Sequence, residues 1–422
     1  MSRKKTGSKS IPEKSEGYQQ AIHQLQRCST EHGFVASTIE RENYHRVWGR
    51  DSCITGLGAI LSGDDDLIDT CRRSLETLAD FQGPHGEIPS NVDPVTNEIS
   101  YGGTTGRVDS NLWFVIACGE YWRHTKDNDF LDRVLEPLDK VRQLLGSWEF
   151  NARGLLYIPP TGDWADEYPQ SGYVLYDQLL YLQTQKNFCA FDQHRATSAA
   201  ESAIDKITHL ENLLQTNYWL FNSQCDKTFI YHQNIFKKGR EKASELPSPY
   251  WMPCFSPLGY NYRFDTLANT LAGLFGLANE AQIDAVNTYI DEQVVPEKLK
   301  LLPGFSPVIR QQDKQWEKLQ ASFSHQFKNK PYEYHNGGLW PMVTGFYAAS
   351  LAERGDKKQA QAYADGIHAA NKTENSESGE SWGFPEYLNG QTLEAGGTPS
   401  MAWSAAAALI AEGYIVGKSL FV

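Results

Sequence analysis

A chain of 422 residues that is 40% hydrophobic and 12% aromatic can bury a large core, and it contains no run of about 18 apolar residues able to cross a bilayer. Its formal charge of −13 excludes a nucleic-acid or anionic-membrane surface as the natural partner, because phosphates would be repelled rather than neutralised. A neutral or weakly charged small ligand fits better.

The chain opens with MSRKKTGSKSIPEKSEG, which is basic and polar with no apolar stretch, so residues 1–17 are expected to form a disordered tail rather than a secretory signal. Seven cysteines (Cys28, Cys53, Cys71, Cys118, Cys189, Cys225 and Cys254) are odd in number and form no CxxC pair. They read as reduced, mostly buried thiols, and the chain as cytoplasmic. Residues 18–422 lack a Pro-, Gly- or Ser-rich linker and are expected to form one unit.

A helix is expected over about residues 14–28. After it, one arrangement recurs six times: a loop dense in Gly, aromatic and polar residues runs into a helix-length segment that is apolar or small on most sides. These segments begin near Asp51 (DSCITGLGAIL), Asp109 (DSNLWFVIACGEYW), Tyr173 (YVLYDQLLYLQT), Asp265 (DTLANTLAGLFGLA), Gly337 (GGLWPMVTGFYAASLA) and Pro399 (PSMAWSAAAALIAEG). Between them lie amphipathic segments such as DLIDTCRRSLETLADF and EAQIDAVNTYIDEQVV, apolar at three- and four-residue spacing. Helices buried all round alternating with helices wet on one face describe an inner ring wrapped by an outer ring, an all-α (α/α)6 barrel. GFVAST, GLLYIPP and KTFIYHQ are expected to be short strands or extended loops.

In such a barrel the six polar loops gather at one mouth. The first, YHRVWGRDS, supplies Trp48, Arg50 and Asp51: a ring to stack on a sugar, with a donor and an acceptor for vicinal hydroxyls. Asp51 and Asp109 could equally be N-caps, since each stands at a helix start. The second, YGGTTGRVDSNLW, brings Tyr101, Asp109 and Trp113, and no Gly-Lys-Ser/Thr follows its glycines to make a phosphate loop. The third, TGDWADEYPQSG, crowds Asp163, Asp166 and Glu167 against Trp164, a setting that raises a carboxyl pKa toward that of a proton donor. The residues alone do not say which acid that is.

The fifth loop, YEYHNGGLWP, carries His335 and Asn336. The sixth, SWGFPEYLNG, carries Trp382 and Glu386, with Trp403 in the helix beyond. No His or Cys spacing suits a metal, and neither metal nor cofactor is expected. A carboxyl of the third loop facing Glu386 across the mouth would give the acid and base that glycoside hydrolysis needs.

Taken together, WGRDS, GRVDSNLW, DWADE…YDQLLY, FDTLANTLAGLFGLA, HNGGLWP and FPEYLNG followed by AWSAA resemble the catalytic (α/α)6 domains of amylo-α-1,6-glucosidase (glycogen-debranching) type, and the related neutral/alkaline invertases and processing α-glucosidases. The resemblance implies Asp166 as general acid, with Asp163 the alternative donor, and Glu386 as general base of an inverting hydrolysis. It places Arg50, Asp51 and Asp109 on the first sugar subsite. His335, Asn336 and Trp403 line that subsite, and Asp177 falls at the acidic position of the helix after the donor. The expected substrate is an α-linked glucoside, an oligosaccharide or short α-1,6 branch, with sucrose hydrolysis of the invertase type as the alternative and a sugar isomerase or epimerase behind both. The expected partner is a small carbohydrate, with a homo-oligomer possible.

Overall fold

The computed structural model describes residues 15–421 apart from 198, 223, 297 and 323–325. Residues 1–14 of the expected tail lie outside the described part. Its last residues do not behave as a tail: the Ser15 hydroxyl accepts from Tyr18 N–H and starts helix α1 (Glu16–Cys28).

Six helices form the inner ring: α2 (Asp51–Ser62), α4 (Asp109–Thr125), α6 (Leu175–His194), α9 (Thr266–Leu274), α12 (Pro341–Glu353) and α14 (Ala402–Ile415). Each packs on the next, and α14 closes the ring against α2. Every residue of α2 is buried, as is α12 from Pro341 to Ala352, which is why these sequences show no polar stripe. Small residues set the spacing. A Cβ on Gly58 would lie 2.8 Å from the Ala406 side chain, and one on Gly345 would lie 2.8 Å from Ala407. The run SAAAALIA is therefore the surface on which α2 and α12 approach α14 closely.

The outer ring comprises α1, α3 (Asp65–Asp80), α5 (Asn128–Trp148), α7 (Ala199–Tyr218), α10 (Glu280–Tyr289) and α13 (Lys357–Asn371). In α3 the buried Leu67, Cys71, Leu75 and Leu78 follow the three- and four-residue spacing of one face, and Asp64 caps its N-terminus. Two further helices, α8 (Gln233–Ala243) and α11 (Trp316–Ala321), sit within the long connections before α9 and α12. The fold is a six-hairpin α/α toroid. No helix of the described residues is long and apolar enough to cross a membrane.

The extended segments are shorter than their sequences suggest. Only Gly33–Phe34 of GFVAST is a strand, paired with Ser29–Thr30. GLLYIPP contributes one bridge, Ile158 to Gly172, and KTFIYHQ begins as a 3-10 turn, Lys227–Phe229, capped by Asp226. Short ladders instead tie the loops that precede inner helices. Val47–Trp48 pairs with Asn91–Asp93, Tyr173–Val174 with Cys254–Ser256, Phe264–Asp265 with Phe305–Ser306, and Tyr387–Leu388 with Ala395–Gly396. They delay several helix starts. The sixth inner helix begins at Ala402 rather than near Pro399, and the fifth at Pro341, whose missing N–H costs nothing at a first helical position.

Candidate active site

The bland reading of Asp51 and Asp109 as helix caps fails on geometry. Helices α2 and α4 begin at these residues, and neither N-cap position makes a side-chain cap bond. Asp265, by contrast, does cap: its carboxyl accepts from Ala268 N–H at 3.0 Å. The carboxyl groups of Asp51 and Asp109 turn toward Arg50 instead. Arg50 Nη1 donates to Asp109 Oδ2 at 3.1 Å, and its Nε lies 3.5 Å from Asp51 Oδ2. Tyr176 donates to the same Asp109 oxygen at 3.3 Å, and the guanidinium lies 5.7 Å from the Trp403 ring centre. Burial pushes Asp51 up to about 6, with Arg50 opposing.

The three acids of the third loop separate clearly. Asp163 is consumed in holding its own turn, since Oδ1 accepts from Ala165 N–H at 2.9 Å and Oδ2 from Gln170 Nε2 at 3.0 Å. The Glu167 carbonyl accepts from Ser322 and Asn329, anchoring the loop to the opposite segment. Asp166 reaches out of the loop. Its Oδ2 accepts from Arg107 Nη2 at 3.0 Å and its Oδ1 from the Tyr334 hydroxyl at 3.4 Å. Burial favours the protonated acid, but the Arg107 charge, aided by Arg50 and Lys328, holds Asp166 below the usual carboxylate range.

Glu386 sits among neutral donors. Tyr44 donates its hydroxyl to Oε1 at 3.1 Å and Thr398 its N–H to Oε2 at 3.1 Å. Burial pushes this carboxyl up to about 7. Gly397 leaves the space for it, with φ +75° and room for no Cβ, which would fall 2.2 Å from Oε2. A cavity of about 260 Å³ opens on Glu386, walled by Tyr44, Lys328, Tyr334, Tyr387 and Thr398. Tyr44 and Tyr334 each lie within electrostatic reach of both Asp166 and Glu386, so the two carboxyl groups share one mouth.

Several buried polar atoms around the mouth have no hydrogen-bond partner among the described residues: Arg50 Nε, Asp51 Oδ2, Asp109 Oδ1, Trp164 Nε1, His335 Nδ1 and Trp403 Nε1. Donors and acceptors are mixed, as a polyhydroxylated ligand requires. Leaving one such atom dry and unpaired costs about 1–3 kcal/mol, so the set is built for ligand or water. His335 lies flat against Trp340, with ring centres 5.3 Å apart and planes 7° apart. Burial lowers its pKa to about 3, so it is neutral.

Other expected site residues are placed differently. Trp113 is wholly buried, stacked on Phe346, and donates to Tyr176 at 2.7 Å, so it props the hydroxyl that serves Asp109 rather than stacking on a sugar. Asn336 spends both ends of its amide on the backbone of Ile309 and Asn329 and is a loop staple. Asp177 is buried in the first turn of α6 with neither oxygen hydrogen-bonded among the described residues, and burial, with Asp163 and Asp109 nearby, pushes it well above the usual range. Trp48 donates to the Asn43 carbonyl and stands beside Tyr44, while Trp382 packs near Phe384 and under Lys372. Tyr101 donates to the Phe81 carbonyl and lines a separate cavity beyond Arg107.

Conversely, Tyr44, Tyr334 and Thr398 meet the carboxyl groups and were not singled out from sequence, and Arg107, a residue of the second loop, carried no expected role there. Tyr44 and Arg107 stand inside the motifs YHRVWGRDS and GRVDSNLW, but their partners are 342 and 59 residues away.

A family model described as alkaline and neutral invertase matches residues 98–420, most of the chain. The chain belongs to the alkaline and neutral invertase family. A second model, amylo-alpha-1,6-glucosidase, matches residues 27–162, the part that holds WGRDS. The family member is 22% identical to probable alkaline/neutral invertase D of Arabidopsis thaliana, covering 91% of this chain and 76% of that protein. It is 24% identical to neutral/alkaline invertase 1, mitochondrial, of Oryza sativa subsp. japonica, covering 86% of this chain and 64% of the rice protein. Among solved structures, a bacterial glucoamylase complexed with acarbose superposes with a TM-score of 0.66 at 15% identity, covering 97% of this chain and 56% of that one. That likeness establishes the shared fold. Membership makes this invertase-family chain a glycoside hydrolase catalytic domain, as the motifs led one to expect.

Proposed function

We propose that the chain hydrolyses an α-glucoside by the invertase route, with sucrose as the substrate the family match favours over the short α-1,6 branch that the sequence put first. The observation that carries the reading is the group of buried donors and acceptors without hydrogen-bond partners among the described residues, several of them within electrostatic reach of Asp166 and Glu386. A glucosyl ring would satisfy Arg50, Asp51 and Asp109 through its hydroxyls and present its scissile oxygen to the carboxyl pair.

In this reading Asp166 protonates the leaving oxygen and Glu386 takes a proton from water attacking the opposite face, which inverts the anomeric carbon. A base with a pKa near 7 is well matched to neutral solution, and the cavity on Glu386 offers room for the water. Arg107 holds Asp166 ionised, so the entering leaving group must loosen that ion pair before Asp166 can carry a proton. An isomerase using His335 as base has no support, because the ring is buried, stacked and very weakly basic.

The test is product analysis on sucrose, isomaltose and limit dextrin, with the first-formed anomer read by proton NMR. Glucose and fructose from sucrose, with the glucose appearing first as the β-anomer, are expected. Release of α-glucose first would eliminate the inverting mechanism, and cleavage of isomaltose but not sucrose would restore the debranching reading.

A further inference from the structure

Tyr101 lies away from Glu386, and the place it occupies has its own character. Its ring lines a cavity of about 480 Å³ together with Ile88, Arg107, Trp148, Phe150 and Tyr157. That volume falls within the usual range of small-molecule sites. The lining comes from the segments just before α4 and α6, so the cavity belongs to the same end of the barrel as the carboxyl pair.

Three observations point to a ligand. Phe150 is 74% exposed beside Tyr157, ring centres 6.2 Å apart, with no protein over it. The Trp148 indole N–H and the Tyr157 hydroxyl, on half-exposed residues that line the cavity, have no hydrogen-bond partner among the described residues and so are open to a ligand there. Glu87 and Arg107 add an acceptor and a donor at its edge. Flat apolar rings with polar handles beside them suit a pyranose, which stacks its C–H face on an aromatic ring while its equatorial hydroxyls bond sideways.

We infer that this cavity is a second carbohydrate subsite, taking a glucose-type ring between Trp148, Phe150, Tyr157 and Tyr101, separated from the reaction centre by the side chain of Arg107. The proposed reaction guides the choice of ligand, and to that extent the inference rests on it. Arg107 gives the subsite a consequence. It lines the cavity while its guanidinium bonds Asp166 and the Thr161 carbonyl, so a sugar that draws on Arg107 weakens its hold on Asp166. An occupied subsite thus favours the protonated form of Asp166.

Calorimetric titration of the full chain carrying Glu386→Gln, with maltotriose and separately with sucrose as probes, tests this. Two sugars per chain are expected. Adding Phe150→Ser, at an exposed position, or Tyr157→Phe should weaken one site by about three- to tenfold, the worth of one stacking or hydrogen-bonding contact, and leave the other unchanged. Trp148→Ala should abolish that site. A single site indifferent to all three changes overturns the inference, as does tight binding of the apolar probe anilinonaphthalene sulfonate that neither sugar displaces. The reading of the carboxyl pair fails separately: a sugar site lost with Phe150 or Trp148 in a parent chain that cleaves no glucoside would keep the subsite and remove the hydrolase.

Discussion

Asp166 and Glu386 are carboxyl groups on loops that feed inner helices, Glu386 buried and Asp166 partly so, and desolvation raises the proton affinity of each, yet they end on opposite sides of the normal range. Asp166 has a guanidinium at 3.0 Å. Glu386 has a tyrosine hydroxyl and a backbone N–H at similar distances, neither with a formal charge. A full charge within hydrogen-bond reach overcomes desolvation, whereas two neutral donors only reduce it. The difference sorts the pair into one group that is anionic at rest and one raised toward neutrality, the reverse of the resting order for a donor and a base, so the proposed roles require the Arg107 pair to loosen before Asp166 can carry a proton.

The largest effect should come from neutralising either member. Asp166→Asn and Glu386→Gln are each expected to lower kcat on sucrose by about three to five orders of magnitude, because neither leaves a proton path for its half of the reaction. The leaving group then separates the roles. α-Glucosyl fluoride departs without a proton, so Asp166→Asn should keep most of the parent rate on the fluoride and Glu386→Gln should not. The opposite pattern would exchange acid and base between the two loops.

A smaller effect should follow from crowding one member without touching its chemistry. Gly397→Ala puts a methyl group 2.2 Å from Glu386 Oε2 at a backbone φ of +75° that alanine adopts poorly. Displacing the carboxyl by a few tenths of an ångström should cost roughly ten- to a hundredfold in kcat with little change in KM, and about 1–3 kcal/mol of stability from the strained backbone. Gly304, whose Cβ would lie 3.1 Å from Trp164 on the Asp166 side, has no positive φ and should tolerate alanine with a milder loss. Equal losses at the two glycines would argue that the mouth responds as one body.

The same contrast explains what was legible in the sequence. The rings were readable because burial on all sides leaves a local trace: α2, α12 and α14 lack polar stripes, and α3 has one. Arg50, Asp51 and Asp109 could be named because each stands at a recognisable loop-to-helix junction. Their orientation could not be read, since capping and ligand-facing aspartates occupy the same positions, and only the bonds to Arg50 distinguish Asp51 from Asp265. Tyr44 and Tyr334 were missed because a tyrosine in an aromatic-rich loop has no local mark of what its hydroxyl meets across the barrel. Asn336 misled for the converse reason: a polar residue beside Gly337 and Gly338 looks like a ligand contact, yet its amide is spent on backbone groups of Ile309 and Asn329.

The smallest expected effect concerns stability, and it extends the comparison below the mouth. Asp163 and Asp265, buried and pushed up to about 7, behave like Glu386, and Asp51 is pushed up to about 6. Each of these groups holds its proton more tightly folded than unfolded, so its contribution is intact in acid, is lost as pH rises from about 4 through the folded value, and levels off above about 7. Asp166 has the opposite sign, stabilising above about 4 and losing that contribution as pH falls through its lowered value. His335, lowered by burial to about 3, also gains stability as pH rises toward 6.5, but the raised groups outnumber these two, so the ligand-free melting temperature should fall between pH 5 and pH 8 when buffers are matched for ionic strength. Asp265→Asn retains the cap oxygen facing Ala268 and removes the ionisation, and should flatten that slope while leaving the melting temperature at pH 5 nearly unchanged. For a chain of this length roughly one degree corresponds to each kcal/mol, so the change in slope amounts to a few degrees at most. A parent protein that melts higher at pH 8 than at pH 5 would show the buried acids to be ionised and paired, and would place Glu386 in the same class as Asp166.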